Sequence, residues 1–183
     1  HGATLGIVGF GRIGQAVAKR ATGFGMRILY YDPQMGLKNI PEEIKAEPAE
    51  LGKLLKESDF VSLHVPLTDE TRHMFNRNLF SKMKDGAILV NTSRGPVVDQ
   101  AALCEALSSG KLAAAGLDVF EPEPLPLDSP LLKLKNLVVA PHIASASRQT
   151  RELMLVMTAE NLLAGLEGKR LPYCANPEVY QRN

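Results

Sequence analysis

Apolar residues in this chain fall in short blocks separated by stretches of helical period. Residues 5–10, 27–31 (RILYY), 60–64 (FVSLH), 87–91 (AILVN), 112–119 and 136–140 are apolar on both faces and too short for helices, so they read as buried strands. Between them, residues 12–21 place Ile13, Ala16, Val17 and Ala18 at helical spacing, with Gly23 and Gly25 closing the helix. Further helices are predicted over 48–57, with Pro48 in the first turn, over 76–83, and over 99–109, with Asp99 as cap and Gly110 behind it. The longest spans 147–167 and is closed by Gly168. Residues 34–47 read as loop with weak structure, and the tail from Leu171 carries two prolines and no period. Strands alternating with helices, nearly all apolar on both faces, predict an α/β fold with a doubly wound parallel sheet and helices on both faces. Its crossovers are expected to be right-handed.

Composition narrows the class. The 183 residues are 45% hydrophobic and 22% charged, which excludes a disordered chain or a collagen-like fibre. The net charge of +1 supplies no field to hold a nucleic-acid backbone or an anionic membrane. The longest clean apolar run, Leu153 to Met157, is far short of a membrane span. Cys104 and Cys174 have neither metal nor redox spacing, which predicts a reduced, cytoplasmic protein with no metal site. Cys104 reads as a packed helix residue and Cys174 as a free thiol. The chain starts at His1 with no signal-peptide pattern and runs almost at once into a strand, so a segment upstream is expected to be missing.

The polar residues then supply chemistry. Gly9-Phe-Gly11-Arg12-Ile13-Gly14 matches G-x-G-x-x-G, follows an apolar strand and opens a helix, as a Rossmann-type dinucleotide site requires. Gly9 permits the tight turn, Gly11 lets the backbone approach a pyrophosphate, and Gly14 lets helix and strand pack. Arg12 adds a cation beside the phosphates. Asp32 ends the second strand, where its carboxylate can accept bonds from ribose hydroxyls and repel a 2′-phosphate. NAD is therefore expected rather than NADP. A plain turn cap before Pro33 is the competing reading of Asp32.

In open parallel sheets, ligands bind beyond the carboxyl ends of the strands. The glycine loop, Asp32, Val65 to Thr68, Asn91 to Gly95, Asp118 and His142 all follow successive strands on that edge. Arg94 offers a planar fork suited to a carboxylate, with a surface ion pair as its bland reading. His142 can act as acid or base near neutral pH, although spacing alone leaves His64 open. His64 reads as a satisfied histidine near the core and His73 as exposed. Glu121-Pro-Glu123-Pro-Leu-Pro126 is a stiff segment able to hold a carboxylate against an imidazole, or simply a solvated connector.

These stretches resemble the cofactor domain of the D-isomer-specific 2-hydroxyacid dehydrogenases. The match rests on residues 6–14, His64-Val-Pro-Leu-Thr68, Val90 to Asp99, Gly116 to Pro124 and Ala140-Pro-His-Ile-Ala144, in the family's order. Glu123-Pro-Leu-Pro and residues 130–136 are most similar to the glyoxylate/hydroxypyruvate and 2-ketogluconate reductase branch. The resemblance implies Arg94, Glu123 and His142 as catalytic residues. His142 would be proton donor to C2, Glu123 rather than Glu121 its holder, and Arg94 the substrate anchor. It implies Asp118 against the nicotinamide carboxamide, and Arg12, Ile13, Asp32, Val65, Pro66, Thr92, Ser93 and Ala144 along the rest of the NAD site. It implies a homodimer through the cofactor domain and a small 2-oxo or 2-hydroxy acid as substrate.

Residues 1–145 would form the dinucleotide-binding domain, and 146–183 a helix and tail returning to a substrate domain outside this chain. The chain alone is then expected to bind NAD(H) and turn over poorly. The apolar stripe of Leu153, Met154, Val156, Met157, Leu162, Leu163 and Leu166 reads as core packing, or, with the substrate domain outside this chain, as a face left partly exposed or taken up by a partner. Two other functions compete. One is a non-catalytic NAD(H)-sensing protein like the family's corepressor branch. The other is a hydrolase with tightly bound NAD, against which the Arg94/Glu123/His142 set argues.

Overall fold

The computed structural model describes residues 1–33, 40–41 and 43–181. The chain divides into two compact units, His1–His142 and Ile143–Asn183. The first unit holds seven strands: β1 (Thr4–Val8), β2 (Arg27–Tyr31), β3 (Ala46–Pro48), β4 (Phe60–Leu63), β5 (Ala87–Asn91), β6 (Leu112–Leu117) and β7 (Leu137–Val139). They form one sheet in the order β3-β2-β1-β4-β5-β6-β7, and every neighbouring pair is parallel. The order reverses between β1 and β4, which opens a crevice at the carboxyl ends of those strands.

Period-two alternation sorts the apolar side chains onto two faces. Leu5 and Ile7 of β1 and Ile28 and Tyr30 of β2 pack with Ala18 and Ala21 of α1 (Arg12–Thr22). Val8 and Leu29 face the other way, into a larger core that includes Leu54, Phe80 and Leu103. Those three belong to α2 (Leu51–Glu57), α3 (Arg77–Lys82) and α4 (Gln100–Ser108) respectively. Helices thus cover both faces, as the double-sided apolar strands predict. Asn76 Oδ1 accepts from the Asn78 and Leu79 N–H groups, and Asp99 Oδ1 from those of Ala101 and Ala102, capping α3 and α4. The first turn of α1 has no side-chain cap, because its N-cap is Gly11.

Two expectations change. Pro48 does not open a helix; it closes the short edge strand β3, whose register pairs it with Tyr30. Proline lacks the N–H that a ladder needs, and an edge strand tolerates that loss. The helix starts after Glu50 instead. The part of the expected loop at 34–39 and 42 lies outside the described residues.

The second unit holds α5 (Arg148–Leu166), capped by Ser147 Oγ, which accepts from the Thr150 N–H. None of its residues is buried: of the apolar stripe Met157 is half-buried and the rest is exposed, which favours the second of the two readings over core packing. The tail is more ordered than its lack of period suggests. Asn161 exchanges two hydrogen bonds with the Tyr173 backbone, and Pro177–Gln181 form a 3-10 turn.

Gly6 lets α2 approach β1: a Cβ there would lie 2.4 Å from Ser58 Oγ. Among the described residues, that hydroxyl is the one buried side-chain nitrogen or oxygen without a hydrogen-bond partner. Ser58→Ala is therefore expected to raise stability by about 1 kcal/mol, since an unsatisfied buried group disappears and the cavity barely changes. Thermal unfolding measures this, and a drop in the midpoint would reveal a hydrogen bond to the hydroxyl.

Candidate active and cofactor site

The glycine loop is built by three different constraints. Gly9 has φ +92°, and a Cβ there would lie 2.6 Å from the His64 carbonyl carbon, so β1 and β4 close up only with glycine between them. A Cβ on Gly14 would lie 2.3 Å from the Gly9 carbonyl oxygen. Gly11 meets nothing within 4 Å, so its open side is the one a ligand can approach. Phe10, fully buried, stacks on Tyr30 with ring centroids 4.1 Å apart and anchors the loop from below. Arg12 and Ile13 are exposed at the start of α1.

Asp32 Oδ2 accepts a hydrogen bond from the Phe10 N–H at 2.8 Å. Its carboxylate therefore also locks the turn between the first two motif glycines.

Two clefts meet at His64. One, of about 700 Å³, runs along Gly11, Arg12 and Ile13, and the other, of about 420 Å³, along Val65, Pro66, Thr92, Ser93 and Arg94. His64 is half-buried and has a partner, as expected of a satisfied histidine near the core. Its Nε2 lies 2.8 Å from Ser62 Oγ, and burial pushes its pKa down to about 4, so the ring is neutral at physiological pH. It sits just past β4, on the ligand edge of the sheet.

The Arg94 turn is organised by Asn91, fully buried at the end of β5. Asn91 Oδ1 accepts from the Ser93 N–H and Oγ–H, and its Nδ2 donates to the Arg94 carbonyl at 2.9 Å. Gly95 then packs so closely that a Cβ would overlap the Phe120 carbonyl. Arg94 itself is exposed, with Nη1 donating to the Ser93 carbonyl at 2.6 Å. Asp118 is buried just past β6, and its N–H donates to the Asn91 carbonyl at 3.0 Å.

Glu123 and His142 come together from the loops after β6 and β7. Glu123 Oε1 accepts from the Phe120 N–H at 2.8 Å, and Oε2 lies 2.9 Å from His142 Nδ1. The bond to His142 is the largest influence holding the Glu123 carboxyl below its usual range, followed by the Phe120 N–H; the Arg94 charge adds to it. An ionised carboxylate only accepts, so Nδ1 carries the proton and the ring turns Nε2 outward from the pair. His142 has φ +55°, a strained conformation for a side chain of this size. An apolar cleft of about 540 Å³, walled by Phe120, Leu125, Leu132 and Val139, adjoins the pair. Ala144 falls in the second unit.

Residues 1–144 match the NAD-binding domain of the D-isomer specific 2-hydroxyacid dehydrogenases. The chain belongs to that family. It is 60% identical over 179 residues to a glyoxylate reductase of Korarchaeum cryptofilum, covering 98% of this chain and 54% of the relative. It is 52% identical over 180 residues to glyoxylate/hydroxypyruvate reductase B of Escherichia coli, covering 98% and 55%. The structure of a D-lactate dehydrogenase with NAD+ from Lactobacillus jensenii superimposes with a TM-score of 0.85 at 34% identity, over 94% of this chain and 55% of that one. The chain thus spans about half the length of these relatives. Its glycine loop fits a dinucleotide: α1 starts uncapped at a glycine with open space above it, between Arg12 and the Asp32 carboxylate. Among the described residues no helix is long and apolar enough to cross a membrane, and no His/Cys/Asp/Glu cluster could hold a metal ion.

Proposed function

We propose that this chain is the cofactor-binding part of a cytoplasmic reductase that converts a small 2-oxo acid, glyoxylate or hydroxypyruvate, to the D-2-hydroxy acid. The observation that carries this reading is the Glu123–His142 pair, set on the same sheet edge as Arg94 and the glycine loop. Gly9, Gly11, Gly14, Arg12 and Ile13 would hold the pyrophosphate side of NAD(H), and Asp32 the adenine ribose. Val65, Pro66, Thr92, Ser93 and Asp118 would line the remainder. NADH, when bound, supplies the hydride.

The chain's own groups do the rest. Arg94 pairs with the substrate carboxylate through its planar fork. His142, fixed by Glu123 with Nδ1 protonated, becomes imidazolium by taking a proton on Nε2. It then donates that proton to the C2 oxygen as negative charge builds there. Glu123 stabilises the charged ring.

The relatives carry nearly half of their length outside the matched region, and we place the substrate-gripping part there. On this reading residues 1–145 bind the dinucleotide, residues 146–183 lead back to that part, and the 183 residues alone bind NADH with little turnover. A homodimer through the cofactor domain follows from the same reading, and sedimentation at high concentration tests it.

Calorimetric titration of NADH and NADPH tests the cofactor assignment. Wild type is expected to prefer NADH. Asp32→Ala is expected to weaken NADH binding by about 10- to 100-fold, as for loss of a charged hydrogen bond, and to narrow the preference. Tighter binding of NADPH than of NADH to wild type would overturn the assignment. Assay of the full-length protein with NADH and glyoxylate tests the reaction; tight NADH binding without turnover would point to a sensor instead.

A further inference from the structure

The loop that carries Glu123 contains a second His–Glu pair. Glu121 Oε2 lies 2.6 Å from His73 Nε2, and its Oε1 accepts from Arg72 Nη1 at 2.8 Å. The Glu121 backbone is held as well: its N–H donates to Gln100 Oε1 at 3.2 Å, and its carbonyl accepts from Gln100 Nε2. His73 in turn has φ +49°, and its N–H donates to the Pro96 carbonyl at 2.7 Å, beside the Arg94 turn. Glu121 therefore ties the loop after β6 to the loop after β4 and to the start of α4.

What these contacts hold is the backbone on which Glu123 folds back. Glu123 Oε1 is bonded to the Phe120 N–H, one residue before Glu121, while Gly95 presses on the Phe120 carbonyl. A turn of the Glu121 backbone would carry Phe120 with it and swing Glu123 away from His142. The cluster is a weak source of stability, because the Arg72 and His73 side chains are about half exposed. Yet it spends one left-handed histidine and four polar contacts on a single carboxylate and its backbone.

We propose that Glu121, clamped by Arg72 and His73, is a positioning residue that orients Glu123 and through it fixes the Nδ1–H tautomer of His142. Its catalytic consequence rests on His142 being the proton donor. Its structural content does not, and the tautomer reads that content directly. The lowered pKa of the Glu121 carboxyl, caused first by the His73 bond, keeps the clamp charged.

The test is ring-nitrogen NMR of the 183-residue chain labelled with ¹⁵N-histidine, at about pH 9, above the ordinary imidazole pKa of about 6.5. Long-range ¹H–¹⁵N correlations report the tautomer of each of the four histidines. Wild-type His142 is expected to be mainly Nδ1–H. In Glu121→Gln, and separately in Arg72→Ala/His73→Asn, the Nδ1–H form of His142 should drop from the major to the minor neutral species, as it does in Glu123→Gln. Asparagine tolerates the positive φ at position 73, so the second variant keeps the test valid if Glu121→Gln fails to fold. A folded variant of either kind whose His142 keeps the wild-type tautomer would overturn the proposal. So would a wild-type His142 that is mainly Nε2–H. Neither result depends on turnover, so failure here is separate from failure of the reductase reading.

Discussion

Replacing His142 with asparagine is expected to lower kcat for glyoxylate reduction by about 10²- to 10⁴-fold in the active holoenzyme, the usual contribution of a placed general acid. Asparagine is chosen because it tolerates the φ of +55° at this position and its amide can still donate to Glu123. What it cannot do is gain and lose a proton near neutral pH. The loss should therefore fall on kcat, with NADH binding unchanged, because the glycine loop and Asp32 follow β1 and β2, whereas His142 follows β7 at the far side of the strand order. Steady-state kinetics and a calorimetric titration separate the two effects. A kcat within about tenfold of wild type would remove His142 from the proton-donor role.

Acidification from about pH 6.5 to pH 4 is expected to destabilise the fold by about 3 kcal/mol through His64. The sign follows from where the proton sits. In the unfolded chain the ring titrates near its ordinary value of about 6.5. In the folded protein burial holds it down to about 4. Between those values the unfolded state binds a proton that the native state does not, so stability falls as pH falls. It is complete above about pH 6.5, and the loss levels off below about pH 4.

The Glu121 and Glu123 carboxyls, both lowered, act in the same direction but further down. Their stabilisation is present above the ordinary carboxylate range and is lost as pH falls through their lowered folded values. Urea unfolding at pH 7 and about pH 4.5 thus catches most of the His64 effect before theirs. His64→Gln should flatten the difference between the two conditions. An equally steep fall in that variant would mean that His64 is already protonated, or already solvated, in the native state.

Much of this molecule was legible along the chain because its signals are local. The glycine motif sits where a strand gives way to a helix, and each of its glycines meets a different neighbour in space. Asn76, Asp99 and Ser147 cap the helices they precede, since a cap needs only the residues two or three places on. The edge strand β3 was not legible. Its three residues are a strand only because Tyr30 and its neighbours lie alongside, and Pro48 in isolation looks like a helix start. The apolar stripe of α5 shows the reverse limit: periodicity states that a face is apolar but not what covers it.

Sequence alone determined the alternation of strands and helices, the parallel sheet, and the succession of polar groups at its carboxyl edge. Each follows from patterns within about ten residues. Tertiary structure decided the pairings. Glu121 and Glu123 are equivalent as letters, two residues apart in one proline-rich loop. One meets His73, 48 residues earlier, and the other His142, 19 residues later. His64 and His142 likewise differ in the chain only by position. Burial at the end of β4 keeps the first ring neutral, while the loop after β7 leaves the second exposed beside a carboxylate. Charge state and partner depend on dielectric surroundings and on distances of about 3 Å, and only the closed sheet sets those.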